Sequence, residues 1–204
     1  MLNLGGEKMS YIISIEENTY NMLDYLHDIS MDFSLFNEGI SLKGLDCTLK
    51  YKAKNKSCFN KLKKCHMLST TGPELVSLKL RAILESVVPT EVEFFNAEII
   101  YGNEIFDGFS VINPIIKIDC CDMNKSEYQL TNFDPNNPAY MFLYTVILDD
   151  IPDGYNIVRC KEQPNLIVIN NKVKSAILSA GLQGIKFCKE IDLTYKDRTI
   201  CESS

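Results

Sequence analysis

Apolar and polar residues follow a regular order in the middle of the chain. A short apolar strand at 75–77 precedes apolar positions at helical spacing as far as Val87, and a strand rich in β-branched and aromatic residues follows over 91–101. Ser77 is a suitable helix N-cap, and Pro89 ends the helix because proline cannot continue it. The pattern predicts a strand–helix–strand unit.

The same order returns near the C-terminal end. A strand at 166–169 precedes a cap residue, Asn170, and a helical apolar face. Gly181 suits the left-handed position after a helix, and another strand begins at residue 185. The two stretches align without a gap at a constant offset, so that Ser77 falls on Asn170. The sequence therefore predicts two related strand–helix–strand units; the alternative is a chance similarity between two amphipathic helices.

Further segments predict additional strands. They lie at residues 11–15, 106–112, 115–118, 140–148 and 155–159, the last in a hairpin with 166–169. A weaker helical pattern covers 18–27. Because strands outnumber helices, the predicted class is α+β, with a mostly antiparallel sheet and a few covering helices.

Three regions are predicted along the chain. Residues 1–67 form an N-terminal strand and helix region with a basic loop, residues 68–193 form the main domain packed with it, and residues 194–204 form a C-terminal tail. The first eight residues lack the features of a secretory signal. Because Gly5-Gly6-Glu7 reads like a translated ribosome-binding site, we expect the natural start at Met9; a short frayed tail is the alternative.

Composition narrows the class of partner. The chain has 204 residues, with 21 Lys and Arg against 27 Asp and Glu, and a formal net charge of −6. An acidic protein is a poor match for nucleic acid or an anionic membrane, since both attract clustered basic residues. No apolar run approaches the ~20 residues that cross a bilayer. We therefore expect neither nucleic acid nor membrane as a partner, and a basic protein partner stays open.

Eight cysteines are present, and no export signal accompanies them. Reduced thiols are then expected, and a buried free cysteine behaves as a small apolar residue. Cys58, Cys65 and His66 lack the paired short spacings of a zinc site. The neighbours Cys120 and Cys121 would point to opposite faces of a strand. The sequence predicts no metal site and no cofactor.

Known catalytic signatures are not found in the sequence. It contains no glycine-rich phosphate loop, no nucleophile elbow and no paired histidines on one helix turn. One alternative is an enzyme with a cysteine nucleophile activated by His66. Another is a nucleic-acid-binding or other protein-binding regulatory module, since seven lysines fall between Lys50 and Lys64. A solvated basic loop is the simpler interpretation of that run. The residue types favour binding, and we expect no enzymatic activity.

A more specific pattern follows the predicted strand at 115–118. Asp119 ends the strand, Asp122 follows in a short loop, and Ser126 and Tyr128 come shortly after it. Asp and Ser side chains form turns by bonding nearby backbone N–H groups. The pattern therefore predicts a tightly turned loop.

Three segments in order carry a family resemblance. Residues 75–84, 118–128 and 165–187 resemble the eleventh immunity family of bacterial polymorphic toxin systems, which has a Myxococcus-type prototype and was formerly a domain of unknown function. The resemblance extends over about residues 68–193. The sequence departs from the family pattern at Ile118 and at the adjacent cysteines.

The resemblance implies a cytoplasmic protein, active in interbacterial competition, that binds a cognate secreted toxin and neutralises it by occluding its active site. It implies no catalytic activity and no cofactor. Because such toxins often carry basic clefts, an acidic face is the expected contact, and a homodimer is left open. The candidate toxin-binding residues are Glu91, Glu93, Glu98, Glu104, Asp107, Asp149, Asp150 and Asp153. The residues expected to shape the motif loop are Asp119, Asp122, Ser126 and Tyr128.

Overall fold

A computed structural model describes residues 9–15, 22–131, 139–192 and 200–204. These residues form two β-sheets and three α-helices. The strands are β1 (Ser10–Ile15), β2 (Leu23–Tyr25), β3 (Lys50–Ala53), β4 (Met67–Leu68), β5 (Leu75–Ser77), β6 (Val92–Tyr101), β7 (Glu104–Pro114), β8 (Lys117–Ile118), β9 (Glu127–Thr131), β10 (Ala139–Val146), β11 (Ile157–Cys160), β12 (Ile167–Asn170), β13 (Ile185–Asp192) and β14 (Ile200–Ser203). The α-helices are α1 (Lys56–Lys61), α2 (Leu78–Val87) and α3 (Asn171–Ser179).

Both sheets are mixed. The large sheet has the order β8–β11–β12–β1–β13–β10–β9, with β14 also paired to β13. The small sheet has the order β2–β3–β6–β7–β5–β4. Each sheet contains one parallel pair, β8 with β11 and β3 with β6. The protein is thus mostly β, with a few helices.

The two segments with matching patterns have the same arrangement of elements. Strands β5 and β6 flank α2 in sequence, and both pair antiparallel with β7. Strands β12 and β13 flank α3, and both pair antiparallel with β1. Ser77 accepts from the Leu80 N–H at 3.2 Å and caps α2 as predicted. Asn170 caps α3 by accepting from the N–H groups of Lys172 and Val173.

One apolar cluster, the central cluster, joins the two sheets. It contains side chains from α2, α3 and one face of each sheet, including Val76, Leu84, Ile169, Ile177 and Phe187. Burial of each large apolar side chain contributes about 1.5–3 kcal/mol, so this cluster is a main source of stability. The other face of the small sheet packs against the segments from Met22 to Cys65, whereas the other face of the large sheet carries the cysteine-rich cluster described below.

The helix predicted over 18–27 is wrong where it can be compared. Residues 16–21 lie outside the described part of the chain, and Leu23–Tyr25 form strand β2 against β3. Leu23 and Tyr25 are buried while Asp24 is half-buried, so the period-two pattern of a strand prevails over the weak helical one. Residues 1–8, which are predicted to precede the natural start at Met9, also lie outside the described residues.

The C-terminal residues contain a strand and a disulfide. Strand β14 pairs with β13, which places Cys201 directly opposite Cys188, and the two form a disulfide. The expectation of reduced thiols is therefore wrong for this pair. The sequence could not show it, because the pairing depends on the register of two strands.

Candidate functional site

A groove of about 990 Å³ opens beside the outer strands of the large sheet. The motif loop forms one side, the hairpin β9–β10 another, and the segment after β11 a third. Polar and apolar groups both line it. Among its lining residues are Asp119, Asp122, Tyr140, Phe142, Lys161 and Glu162.

Two of the predicted motif residues, Asp122 and Ser126, hold the motif loop in place by accepting hydrogen bonds. The Asp122 carboxylate accepts from the N–H groups of Asn124 (3.1 Å) and Lys125 (3.2 Å). The hydrogen bond from the Lys125 side chain holds the pKa of Asp122 below its ordinary value. Ser126 accepts from the Val146 N–H at 2.9 Å and so ties the loop to β10. The loop therefore forms a rigid edge of the groove.

The other two motif residues face outward. Asp119 is exposed and forms an ion pair with Lys161, with 3.0 Å between Oδ1 and Nζ. Tyr128 lies on β9 and is also exposed. Both side chains are accessible to a partner molecule.

Three exposed apolar side chains lie on one face of the β9–β10 hairpin, where Leu130 is opposite Tyr140 and Tyr128 is opposite Phe142. We call Tyr128, Leu130 and Tyr140 the hairpin patch. The rings of Tyr128 and Tyr140 meet edge to face with centroids 5.2 Å apart, and both contact the buried Phe142. These ring contacts restrict the two tyrosines to defined positions on the surface.

The floor of the groove holds a thiol cluster, defined as Cys120, Cys121, Cys160 and Glu162. The sulfurs of Cys121 and Cys160 are 3.5 Å apart, and the Cys160 sulfur is 3.2 Å from Glu162 Oε2. The Cys120 N–H donates to the same oxygen at 3.0 Å. All three thiols are buried, while the carboxyl group reaches the groove.

The thiol cluster shifts the acidity of its own members. Burial raises the pKa of Glu162 to about 7. Hydrogen bonds to Cys160, together with burial, raise the pKa values of the Cys120 and Cys121 thiols. The same hydrogen bonds lower the pKa of Cys160, because they stabilise its thiolate.

Two of the predicted acidic contact residues carry hydrogen bonds inside the protein. Glu91 accepts from the backbone N–H groups of Asn156 (2.6 Å) and Ile157 (3.0 Å), which connects the start of β6 to β11. Glu93 is buried and accepts from Ser41 (2.5 Å) and from the Leu42 N–H (2.9 Å). Both carboxylates hold segments of the fold together.

The remaining predicted acids lie on two different sheets. Glu98, Glu104 and Asp107 are exposed on β6 and β7 of the small sheet. Glu98 and Glu104 form ion pairs with Lys50 and Lys56. These residues are separate from the groove.

A second group of predicted acids follows β10 of the large sheet. Asp149 is exposed and Asp150 half-buried, and both come directly after Leu148, which lines the groove. Asp153 lies in the short 3-10 turn Pro152–Gly154. The structure therefore does not bring all eight acids to one face.

The alternative functions depend on the lysines between residues 50 and 64 and on His66, and several of these residues have partners inside the protein. Three of the lysines after residue 49 pair with acids: Lys50 with Glu98, Lys54 with Asp24, and Lys56 with Glu104. His66 Nδ1 lies 3.1 Å from Ser77 Oγ at the start of α2. Burial raises the pKa of the neighbouring Cys65, which disfavours a reactive thiolate there.

Sequence reasoning did not find the thiol cluster or the hairpin patch. Cys121 and Cys160 are 39 residues apart, and the parallel pairing of β8 with β11 brings their segments together. Spacing rules for metal sites examine near neighbours only, so they miss such a group. The alternation of apolar residues at 128, 130 and 140 was a usable signal for the hairpin patch.

Comparisons with known proteins identify the family. The longest helix among the described residues has ten residues, so none is long and apolar enough to cross a membrane. No curated protein matches the chain. The model of the Imm11 immunity protein family matches residues 36–191, about three quarters of the sequence, and this match begins well before the predicted domain start at residue 68. The chain therefore belongs to the Imm11 immunity protein family.

Proposed function

We propose that this protein binds a cognate antibacterial toxin in the bacterial cytoplasm and neutralises it by covering the toxin's active site. The protein acts as a stoichiometric inhibitor and catalyses no reaction. The observation that carries the proposal is the hairpin patch beside a groove of mixed polar and apolar lining, on a member of an immunity protein family.

The hairpin patch has the composition of an interface centre. Tyrosines are enriched among the residues that dominate binding energy, and Tyr128 and Tyr140 are already fixed by their ring contacts. An interface also needs a polar rim, which Asp119, Asp122 and Lys161 supply at the groove. We infer that the toxin contacts the hairpin patch and the groove together.

Acidic residues that follow the groove in sequence are further candidate contacts. Asp149, Asp150 and Asp153 follow the groove-lining residue Leu148 along the chain, and we propose that they face a basic cleft of the toxin. Such complementarity accelerates encounter and gives specificity more than affinity. Glu98, Glu104 and Asp107 form a second candidate contact on the small sheet, whereas Glu91 and Glu93 are proposed to act only through the fold.

Co-expression tests the proposal. The toxin encoded next to this gene is expressed in a host cell with or without this protein, and the dissociation constant of the purified pair is measured. We expect survival with the wild type, and at least about 30-fold weaker binding with Tyr140→Glu, since loss of a dominant contact costs ~2 kcal/mol or more. Leu178→Glu is the matched control, because Leu178 is as exposed as Tyr140 (42% each) but lies on α3, outside both candidate contacts.

Each outcome has a defined meaning. Equal binding of the wild type and of Tyr140→Glu, or equal loss in Leu178→Glu, would show that the hairpin patch is not the contact. Asn substitutions at Asp149 and Asp150, compared with Gln substitutions at Glu98 and Glu104, identify the acidic group that speeds association at low salt. If the hairpin patch joins two copies of this chain, Tyr140→Glu converts a dimer to a monomer in sedimentation without reducing protection.

A further inference from the structure

Three ligand-type atoms of the thiol cluster converge on one point. The sulfurs of Cys121 and Cys160 and a carboxylate oxygen of Glu162 all lie within 4.8 Å of one another. The chain brings them from two segments that meet where β8 pairs with β11. Nothing in the proposed toxin contact requires two buried thiols beside a carboxyl group.

The distances are close to those around a tetrahedral zinc ion. With Zn–S near 2.3 Å and Zn–O near 2.0–2.2 Å, two sulfurs lie about 3.8 Å apart, and a sulfur and an oxygen about 3.5 Å apart. The corresponding distances here are 3.5 Å between the sulfurs and 3.2 Å from the Cys160 sulfur to Glu162. Small rotations of the side chains would open the group by the required few tenths of an ångström.

The surroundings also suit a metal site. The Gln163 N–H hydrogen-bonds to the Cys160 sulfur, and the Cys120 N–H holds the Glu162 carboxylate. Such outer hydrogen bonds orient metal ligands. The Cys120 thiol hydrogen-bonds to Cys160 and also donates to the Ile118 carbonyl at 3.4 Å, and it is not one of the three converging ligand atoms. Cys121 and Glu162 line the groove, which gives an ion a path from solvent.

We propose that Cys121, Cys160 and Glu162 bind a thiophilic divalent metal ion, Zn²⁺ being the best match, with a fourth coordination position open to the groove. Sulfur ligands select zinc over Mg²⁺ and Ca²⁺, which require oxygen. The ion would lock the segment after β8 to the end of β11 and so stabilise the floor of the groove. This proposal does not rest on toxin binding.

Metal titration of the full-length protein tests the site. The reduced protein is stripped with a chelator and titrated with Co²⁺ and then with Zn²⁺, and metal content is measured after dialysis. We expect one equivalent bound, an absorption band from thiolate-to-Co²⁺ charge transfer that Zn²⁺ abolishes, and a higher unfolding temperature with Zn²⁺. Mg²⁺ should produce none of these changes.

Variants assign the ligands. Cys160→Ser and Cys121→Ser should each weaken Zn²⁺ binding at least about 100-fold, and Glu162→Gln about 10-fold or more, since each removes a direct ligand. Cys65→Ser is the matched control, because it removes a thiol distant from the cluster, and it should bind like the wild type. Circular dichroism confirms that each variant is folded, and the partly exposed Glu162 provides a variant with little effect on the core.

Three results would overturn the proposal. The first is a wild-type protein that binds no Co²⁺ with a thiolate band. The second is unchanged affinity in all three ligand variants. The third is a disulfide between Cys121 and Cys160 in the protein as isolated under reducing conditions, which would show that the short sulfur–sulfur distance serves redox chemistry instead.

Discussion

In each of the two strand–helix–strand segments, a third strand lies between the two flanking strands and pairs with both. This third strand comes from a different part of the chain in the two segments. Strand β7, which lies between β5 and β6, follows β6 directly through a tight turn in which Gly102 has a φ of 59°. Strand β1, which lies between β12 and β13, comes from the beginning of the described chain, where Ile12 pairs with both Val168 and Cys188. The pairing of β7 with β6 therefore joins residues that are close in sequence. The pairing of β1 with β12 and β13 joins the two ends of the described chain. Local closure is the faster route in folding, since long loops must be ordered first for distant pairing.

The largest expected effect is loss of the large sheet when its inserted strand is removed. Deletion of residues 1–15 removes β1 and its buried side chains Tyr11, Ile12, Ile13 and Ile15. Because the loss is comparable with the whole ~5–15 kcal/mol stability of a domain, we expect a chain without cooperative unfolding in urea. Deletion of residues 1–8 alone keeps β1 and serves as the control that separates loss of this strand from loss of the residues before it. A cooperative transition in the longer deletion would show that β12 and β13 do not need β1.

The next largest expected effect is the loss of unfolding free energy when a buried side chain of α2 or of α3 is truncated in the central cluster. Leu84 of α2 and Ile177 of α3 are fully buried there. Leu84→Ala and Ile177→Ala should each reduce the free energy of unfolding by about 2–5 kcal/mol, because each leaves a cavity. The exposed residues Leu78 and Leu178 provide matched controls, and their replacement by Ala should change it by less than about 0.5 kcal/mol. Losses below about 1 kcal/mol at the buried sites would contradict the shared core.

Helix caps give a smaller difference between the segments. Ser77→Ala should cost about 1 kcal/mol, the usual value for a lost cap. Asn170→Ala should cost more, because Asn170 caps two N–H groups and Ser77 caps one, while each has one further side-chain partner, Asn156 and His66 respectively. Ser77→Thr and Asn170→Asp keep an acceptor oxygen and serve as controls. Equal losses from the two Ala variants in denaturant unfolding would argue against the extra role of Asn170.

The smallest expected effect is a pH dependence of the free energy of unfolding. It comes from His66, beside the first strand–helix–strand segment. Burial, with a contribution from Lys79, lowers the pKa of His66. The folded state then binds a proton less readily than the unfolded state, so stability is full above the ordinary pKa near 6.5 and falls as the pH drops below it. We expect the wild type to lose slightly more unfolding free energy than His66→Gln between pH 7 and pH 5. Parallel pH profiles of the two proteins would contradict this.

Much of the fold could be predicted, because local patterns decide it. Ser77, Pro89, Asn170 and Gly181 marked helix boundaries through backbone requirements that do not depend on distant contacts. Pairing order and register do depend on them, so neither the position of β1 nor the Cys188–Cys201 disulfide could be predicted.

The candidate site could be predicted only in part. Asp122 and Ser126 marked the motif loop, because turn formation is a local property of Asp and Ser. The sequence did not show which acidic residues face solvent and which form hydrogen bonds inside the fold. Glu91 and Glu93 look like surface acids in sequence, yet β11 and the loop after Ser41 supply donors that draw them into the fold. The thiol cluster depends on segments that meet only in the folded chain.

The lengths of the outermost strands have a consequence for solution behaviour. Among the described residues, strands β2, β4 and β8 lie at sheet edges and have only two or three residues each, too few to template a foreign strand. Two longer strands also lie at an edge of the described sheets: β14, with four residues, pairs only with β13, and β9, with five residues, pairs only with β10. Among the described edge strands, β9 is the longest, so edge-to-edge pairing between protein molecules at high concentration would begin there. A proline placed in β9 would be the first substitution to make when concentrated samples are needed.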